Sequence, residues 1–387
     1  MMAATIETLH PPAGEESPSE SYGRFSTGIL PSHVLTRLLD QGRELTASEP
    51  FAPGQIQPAS IDLRLGPVAY RVRASFLPGP AATVDEKLRT VFMHEVDLRD
   101  GAVLEAGCVY IVPLLERAEF STRISGGANP KSSTGRIDVF TRLITDYAPS
   151  FDRIEPGYRG PLFAEICPQT FPVLVHKGSR LNQLRIRHGS PQFTDTQLRR
   201  LHELTPLVDG EPDIDGGLAL SIDLKGNADV SRRIGFRAKK HTGLIDVDKV
   251  GGLDPADYWE PIEANSRGDM VLDPDEFYIL VSRERVAIPP DHAAEMVPFN
   301  PLVGEFRVHY AGFFDPGFGY EPGRPPSARG VLEVRSREVP FILEHGQVIG
   351  RLVFERLTDP PPEGYGAGLG SNYQRQGLKL SKHFRSF

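Results

Sequence analysis

The chain has 387 residues, a formal net charge of −8 and two cysteines, Cys108 and Cys167. This length favours two domains over one core, and the charge does not indicate a basic nucleic-acid-binding face. Two cysteines support neither a disulfide framework nor a Cys-rich zinc site. No secretory signal pattern and no run of about 18 apolar residues is visible, so we expect a protein of the reducing cytoplasm with no membrane span.

The first predicted elements are a leader and a short helix. Residues 1–27 are rich in Pro, Ser and Glu and predict a poorly ordered leader. The stretch LPSHVLTRLLDQG then predicts a helix that Ser32 caps and Gly42 ends. Its apolar side would be formed by Val34, Leu35, Leu38 and Leu39.

The rest of the chain predicts a mainly β fold with a few short helices. The 35 prolines and 38 glycines favour many short strands and turns over long helices. From residue 57 to 189 short β-like runs dominate, with SSTGRIDVFTRL as one helix-like insert. A further helix, DTQLRRLHEL, is expected to start near Asp195, before a linker rich in Gly and Asp.

An internal repeat organises these β-like runs. VYIVPLLER (109–117) recurs as FYILVSRER (277–285), and AEICPQTFPVLVHKG (164–178) recurs as LEVRSREVPFILEHG (332–346). ASIDLRLG and EPGYRG recur in the same order as LSIDLKG and DPGFGY. Four ordered matches predict two tandem β domains: a first half at 28–190, a helix and linker at 191–214, a second half at 215–357 and a C-terminal tail at 358–387.

The halves differ at the heptad PKSSTGR (130–136), which the second half lacks. The Ser132 and Ser133 hydroxyls, Gly135 and the Arg136 guanidinium at a helix start could hold a phosphate. The alternative is that Ser132 only caps a helix. Because the second half keeps the β framework without this heptad, we expect it to be a catalytically silent structural partner.

A hairpin follows in FDRIEPGYRGPLFAEI (151–166), with a type II turn signal at Pro156-Gly157. Alternation predicts Leu162, Ala164 and Ile166 on one face of the second strand, and Phe163 and Glu165 on the other. Glu165 is either a buried carboxylate suited to general acid/base work or an ordinary exposed residue. Glu333 holds the same place in the second half.

The tail stretch SNYQRQG offers amide and phenol groups that could contact a nucleotide, unless the tail is disordered. The histidines and cysteines carry no zinc-deaminase signature. A Walker loop and a Gly-x-Gly-x-x-Gly fingerprint are also missing from the sequence.

KSSTGR, RIEPGYRGPLFAEI and SNYQRQG occur together and in this order, and the set resembles the dCTP deaminases, relatives of the trimeric dUTPases. QPASIDLRLG resembles the family's early strand. The resemblance implies two tandem dUTPase-like distorted β-barrel or jelly-roll domains. It also implies hydrolytic deamination of dCTP to dUTP and ammonia, which supplies dUTP for dTMP synthesis. No catalytic zinc is expected, Mg²⁺ would be bound with the triphosphate, and the sites would lie between subunits of a homotrimer.

Carried over by position, the resemblance implies that Glu165 is the general base, with Ser132 and Arg136 beside the attacking water. The implied substrate-binding residues are Lys131, Ser133, Arg153, Glu155, Tyr158, Tyr365, Tyr373 and Gln376. The chain departs from the family's usual residues at five positions, which are Lys131, Asp152, Glu155, Tyr158 and Asn372.

Two other classes of function remain open. A dUTPase, or a bifunctional enzyme that also hydrolyses dUTP, shares the YRG stretch. Glu155, the Pro-Gly turn and the added downstream Glu165 favour the deaminase. A nucleotide-binding scaffold without catalysis is the second class, and the set of Ser132, Arg136 and Glu165 argues against it for the first half.

Overall fold

The computed structural model describes residues 22–226, 232–298, 306–308, 312–336, 339–360 and 377–386. The chain is mainly β, because its β-branched and aromatic runs alternate with Gly and Pro turns over most of its length. None of the helices in these ranges has the length and apolar character needed to cross a bilayer.

The first half builds two larger sheets and most of a small one. The first sheet has the order β11-β9-β14-β4-β3, with β1 on β14. Its strands are β1 (Gly28–Ile29), β3 (Ile56–Gln57), β4 (Ser60–Arg64), β9 (Ile124–Pro130), β11 (Arg153–Ile154) and β14 (Arg180–His188). The second sheet has the order β10-β12-β8-β5-β6, with β2 on β8. Its strands are β2 (Glu44–Ala47), β5 (Val68–Val72), β6 (Phe92–Asp97), β8 (Val109–Glu119), β10 (Val139–Thr145) and β12 (Arg159–Pro168).

The second half has sheets of matching strand order. One runs β15-β26-β21-β23, formed by β15 (Leu218–Ser221), β21 (His292–Pro298), β23 (Phe313–Phe314) and β26 (Val348–Arg356). The other runs β18-β16-β20-β24-β22, formed by β16 (Arg233–Ala238), β18 (Trp259–Glu263), β20 (Phe277–Val286), β22 (Phe306–Val308) and β24 (Ala328–Ser336). A pair of strands, β19 (Asp269–Leu272) and β25 (Phe341–Glu344), forms a ribbon.

The halves share one sheet and one core. The small sheet joins β7 (Ala102–Leu104), β13 (Val173–Val175) and β17 (Ile245–Asp246), and β17 belongs to the second half. Phe171 of the first half packs edge-on against Trp259 of the second, with ring centroids 5.5 Å apart. Phe384 of the tail packs on the same Trp259 at 5.9 Å. The hydrophobic contact therefore fixes the two halves and the end of the tail against one another.

Five helices lie in the described ranges: α1 (Ser32–Asp40), α2 (Val84–Val91), α3 (Ser132–Gly135), α4 (Asp195–Leu204) and α5 (Pro255–Tyr258). The predictions of α1 and α4 are confirmed, and the four predicted apolar residues of α1 are buried. The prediction that Ser32 caps α1 is wrong, since Pro31 holds the N-cap position.

The helix-like reading of SSTGRIDVFTRL is also wrong beyond its first turn. α3 ends at Gly135, and Val139–Thr145 forms the strand β10. The physical reason is composition: five of these seven residues are β-branched or aromatic, which favours a pleated surface over a helix. Pairing with β12 across seven residue positions then fixes the strand.

Candidate active site

The heptad 130–136 forms a single tight turn between two strands. β9 ends directly before Lys131, which holds the N-cap position of α3. Ser132 is therefore the first residue of the helix and not its cap. Ser133, Thr134 and Arg136 are buried. The helix-capping explanation of Ser132 therefore does not hold, and its hydroxyl is available for another role.

Three cations surround one buried carboxylate beside this turn. The Lys131 ammonium contacts Asp62 on β4, and Arg180 Nη1 lies 3.8 Å from the same carboxylate. Burial raises the pKa of Asp62, while Lys131, Arg180 and Lys382 oppose that rise. The pKa of Lys382 is lowered by partial burial and then by the charge of Lys131. Other carboxylates also lie near these cations, since Lys131 acts on Asp315 and Asp248 acts on Lys382, so the cluster holds charges of both signs.

Arg136 lies against the second half. Its Nε is 3.7 Å from Oε1 of Glu333 on β24, and its Nη1 donates to the carbonyl of Lys379 in the tail at 3.2 Å. Glu333 is 4% exposed. Burial raises the pKa of Glu333 to about 7, and the charge of Arg136 only partly offsets that effect. A carboxylate with such a pKa can both accept and return a proton near neutrality.

A second ion pair lies next to this contact. Arg335, two residues after Glu333, pairs with Asp138, two residues after Arg136. Arg335 also donates to Thr170 Oγ1 at 2.8 Å and to the Asp275 carbonyl at 2.8 Å. Both partners are buried. The two links together hold the α3 turn in register with β24.

The end of the tail is seated on α3. Ser381 Oγ donates to the Ser133 carbonyl at 2.8 Å and lies 2.9 Å from Nδ1 of His383. Nε2 of His383 lies 3.0 Å from the Val247 carbonyl. Burial lowers the pKa of His383 to about 4, so the ring is neutral at physiological pH. The described part of the tail, 377–386, thus joins α3 to the second half.

Glu165 lies in a different environment from Arg136. It is 1% exposed, which excludes the alternative of an ordinary exposed residue, and it pairs with Arg142 across β10 and β12. Arg142 Nη2 donates to Glu165 Oε1 at 2.5 Å. The guanidinium lies 3.4 Å from the ring centre of Phe151 and 4.6 Å from that of Phe140, a cation–π arrangement that holds it in place.

The alternation predicted for β12 is confirmed. Leu162, Ala164 and Ile166 belong to different core clusters from Phe163, which packs with residues of β8 and β10. The turn before the strand has Gly157 at φ 78°, the left-handed conformation that a type II turn requires. Asp152, at the hairpin start, has its pKa raised to about 7 by burial, while it accepts a hydrogen bond from the Leu143 amide at 2.7 Å.

Three of the predicted substrate-binding residues share a pocket. Arg153, Glu155 and Tyr158 line a cavity of about 240 Å³ at the hairpin, together with residues 145–150. Tyr158 Oη donates to the Pro161 carbonyl at 2.8 Å, and burial raises the pKa of Tyr158 to about 12. Arg153 pairs with Gly127 of β9, four residues and roughly 13 Å of strand before Lys131. The structure therefore places the described substrate-binding residues in two clusters, one at this pocket and one at α3, and Glu165 belongs to neither.

Tyr365, Tyr373 and Gln376 lie outside the described residues, as does Asn372. Of the metal-ligating side chains in the described ranges, His176, Asp246 and Asp248 could together hold an ion. Asp248 already accepts a hydrogen bond from Ser179 Oγ at 2.5 Å and lies 3.3 Å from His176 Nδ1, so local hydrogen bonding accounts for this cluster.

Comparison with known proteins settles the family. The model of the 2'-deoxycytidine 5'-triphosphate deaminase N-terminal domain matches residues 26–190, and that of the C-terminal domain matches residues 194–384. The crystal structure of 2'-deoxycytidine 5'-triphosphate deaminase from Agrobacterium tumefaciens is 55% identical in sequence, with a TM-score of 0.82. The match covers 87% of this chain and 99% of that one. The chain belongs to the dCTP deaminase family.

Shorter relatives match part of the chain. The "dCTP deaminase, dUMP-forming" of Beutenbergia cavernae is 31% identical over 151 residues, which cover 37% of this chain and 74% of the relative. The "dCTP deaminase" of Haloarcula marismortui is 32% identical over 161 residues, which cover 40% of this chain and 78% of the relative. The resemblance inferred from the motifs is thus confirmed, and this member of the dCTP deaminase family is an enzyme of that type.

Sequence reasoning missed three groups at the site of this dCTP deaminase family member. Arg180 and Lys382 complete the cation cluster, and Ser381 anchors the tail to α3. The basic stretch KLSKHF after SNYQRQG was a signal for the tail residues. Arg180 had no local signal, because its role depends on β14 lying beside β4.

Proposed function

We propose that this chain hydrolyses the 4-amino group of dCTP, giving dUTP and ammonia, at a site built on the α3 turn. The observation that carries the proposal is the α3 turn at 131–136, with its hydroxyls and guanidinium, beside the cations Arg180 and Lys382. Such a turn suits a triphosphate. The 55% sequence identity to the Agrobacterium tumefaciens deaminase supports the same function.

The reaction adds water across C4 of cytosine. A carboxylate takes one proton from water while the oxygen bonds to C4, and the C4–N3 π pair moves to N3, which receives that proton. The second proton of water passes to the amino nitrogen, the C4–N bond breaks, and ammonia leaves as the carbonyl forms. Ser132 and Arg136 would orient the water and stabilise the developing charge. The assignment of the carboxylate role to Glu165 stays a prediction of the sequence.

The nucleotide would be held along its length. Lys131 and Ser133, with the cations around Asp62, suit the phosphates. Arg153, Glu155 and Tyr158 stay predictions for the base, sugar or phosphate, and Tyr365, Tyr373 and Gln376 for tail residues that close over the triphosphate. Magnesium would enter as part of the substrate, bound mainly by phosphate oxygens.

The test is to incubate the purified chain with dCTP and Mg²⁺ and to measure ammonia and the nucleotide product. Equimolar ammonia and dUTP are expected. No ammonia from dCTP, together with pyrophosphate from dUTP, would identify a dUTPase instead. Nucleotide binding without either product would indicate the scaffold alternative.

A bifunctional enzyme is the second candidate, because named relatives in Beutenbergia cavernae and Mycolicibacterium gilvum are dUMP-forming. The same assay separates the two, since a dUMP-forming enzyme releases pyrophosphate in step with ammonia from dCTP. Accumulation of dUTP without pyrophosphate would rule it out.

Lys382 offers a test of the phosphate site. Lys382→Ala should raise KM for dCTP about 10- to 10²-fold with a smaller change in kcat, because a charge-assisted contact to phosphate contributes about 1.5–3 kcal/mol. Solvent reaches the Lys382 side chain, although its ammonium is partly buried, so the unfolding midpoint should change little. Lys87→Ala, on the exposed side of α2, is the matched control, and equal KM values for the two variants would contradict the phosphate role.

We also propose the finer architecture that the family resemblance implies. Each half would be a dUTPase-like distorted jelly roll, at 28–190 and 215–357, derived by internal duplication, and the matching strand orders support this. Residues 1–27, 191–214 and 358–387 would be the leader, the linker and the tail. A homotrimer is proposed, which light scattering after size exclusion would test by the mass of three chains. The cytoplasmic location stays a prediction.

A further inference from the structure

We propose that Glu333, from the second half, is the carboxylate that moves the proton at the site of Ser132 and Arg136. The inference rests on the proposed deamination and concerns which residue serves it. The family resemblance implied that role for Glu165, because Glu165 matches the position of the family's catalytic glutamate. In the folded chain the halves meet at this turn, and the carboxylate that faces Arg136 comes from β24.

Glu333 and Arg136 face each other where the two halves meet. Arg136 Nε and Glu333 Oε1 are 3.7 Å apart, longer than a hydrogen bond but close enough for strong Coulomb attraction in a buried setting. A second ion pair joins Asp138, two residues after Arg136, to Arg335, two residues after Glu333. Since side chains two residues apart on β24 share a face, this second pair fixes Glu333 toward α3.

The proton affinity of Glu333 also suits a proton carrier. A buried carboxylate is costly to ionise unless it is paired. The pKa of Glu333 is raised to about 7 because burial outweighs the attraction of Arg136. An acid or base works best when its pKa lies near the working pH. Glu333 could therefore take a proton from water and return it within one turnover.

Glu165 is held by Arg142 of the neighbouring strand. Its carboxylate bonds to Arg142 through two nitrogens, at 3.1 and 2.5 Å, and Arg142 is held against Phe151. Val139, where β10 begins, is three residues and roughly 10 Å along the strand from Arg142, and Arg136 lies further back in the turn. Both bonds go to Oε1 of Glu165, which the neighbouring strand therefore holds away from the α3 turn, while Oε2 is buried without a hydrogen-bond partner.

The two halves would then supply different groups to the same site. The first half supplies the hydroxyls and Arg136, and the second half, which lacks the heptad, supplies the proton carrier. Each chain would then hold one complete site of this kind, formed internally. The second half would be a catalytic contributor rather than the silent partner that the sequence suggested.

The experiment compares Glu333→Gln and Glu165→Gln in the full chain with dCTP and Mg²⁺. Glu333→Gln should lower kcat about 10³-fold, in the range that general acid/base groups supply, while dCTP binding measured by calorimetry changes by only a few fold. Glu165→Gln should lose far less, so that the kcat values of the two variants differ by at least about 10²-fold. Calorimetry should also give one nucleotide per chain.

Controls keep the outcomes distinct. Glu344→Gln, on the exposed side of β25, should behave as the wild type. Glu333→Asp keeps a carboxylate one methylene shorter and should retain more activity than Glu333→Gln, which a purely structural role would not produce. An active wild type with Glu333→Gln within 10-fold of its rate, or with Glu165→Gln as damaged as Glu333→Gln, overturns the inference. A wild type that releases no ammonia removes the proposed function and the inference with it.

Discussion

Substitution of Arg136 by glutamine is expected to lower kcat/KM for dCTP deamination by about 10²–10³-fold, the effect of removing one preorganised donor from a charge-stabilising site. Arg136 is 5% exposed, so its charge acts in a poorly screened environment. It also holds the Lys379 carbonyl of the tail. Because the charge on the substrate develops during water attack, most of the loss should fall on kcat rather than on KM.

A matched control and a double-mutant cycle sharpen this result. Arg200→Gln, on the exposed side of α4, should leave both constants unchanged. If Arg136 works with Glu333, the double variant Arg136→Gln/Glu333→Gln should lose much less than the product of the single losses. The same cycle with Glu165 should be close to additive. Strong coupling of Arg136 to Glu165 and additivity with Glu333 would contradict our assignment.

Substitution of Arg335 by methionine is expected to destabilise the chain by about 3–5 kcal/mol, because it leaves Asp138 buried without its cation. Arg335 and Asp138 are 7% and 1% exposed, and the pair joins the second half to the α3 turn. Activity should fall as well, since the turn that carries Arg136 loses its link to β24. Urea unfolding followed by circular dichroism measures the first effect and ammonia release the second.

Two further variants test the cause of that loss. Arg237→Met removes a similar Arg–Glu pair on the surface, whose side chains are 42% and 46% exposed, and should cost less than about 1 kcal/mol. Replacing both buried partners, in Arg335→Met/Asp138→Asn, should recover part of the stability, because no unpaired charge remains. A double variant less stable than Arg335→Met alone would show that the pair is not the source of the effect.

The sequence predicted those elements correctly whose structure depends on interactions between residues close together in the chain. The apolar spacing of α1 and the Thr194–Gln197 capping box of α4 are contained within one helix each. The alternation of β12 followed from the period of a strand. Local sequence failed at 137–145, where a short helical turn passes directly into a strand and only pairing with β12 distinguishes the two.

By itself the sequence determined the mainly β character and the family, and it predicted a site at the turn of Ser132 and Arg136, since composition, order of motifs and residue chemistry are local properties. Tertiary structure decided which groups meet that turn. Glu333 is 197 residues from Arg136 along the chain, and Glu165 only 29, yet the nearer carboxylate bonds Arg142 while the distant one faces the guanidinium. The two halves pack through their sheets and a shared core, and this packing decides which side chains come into contact. The distance between two residues along the sequence does not predict how the halves pack.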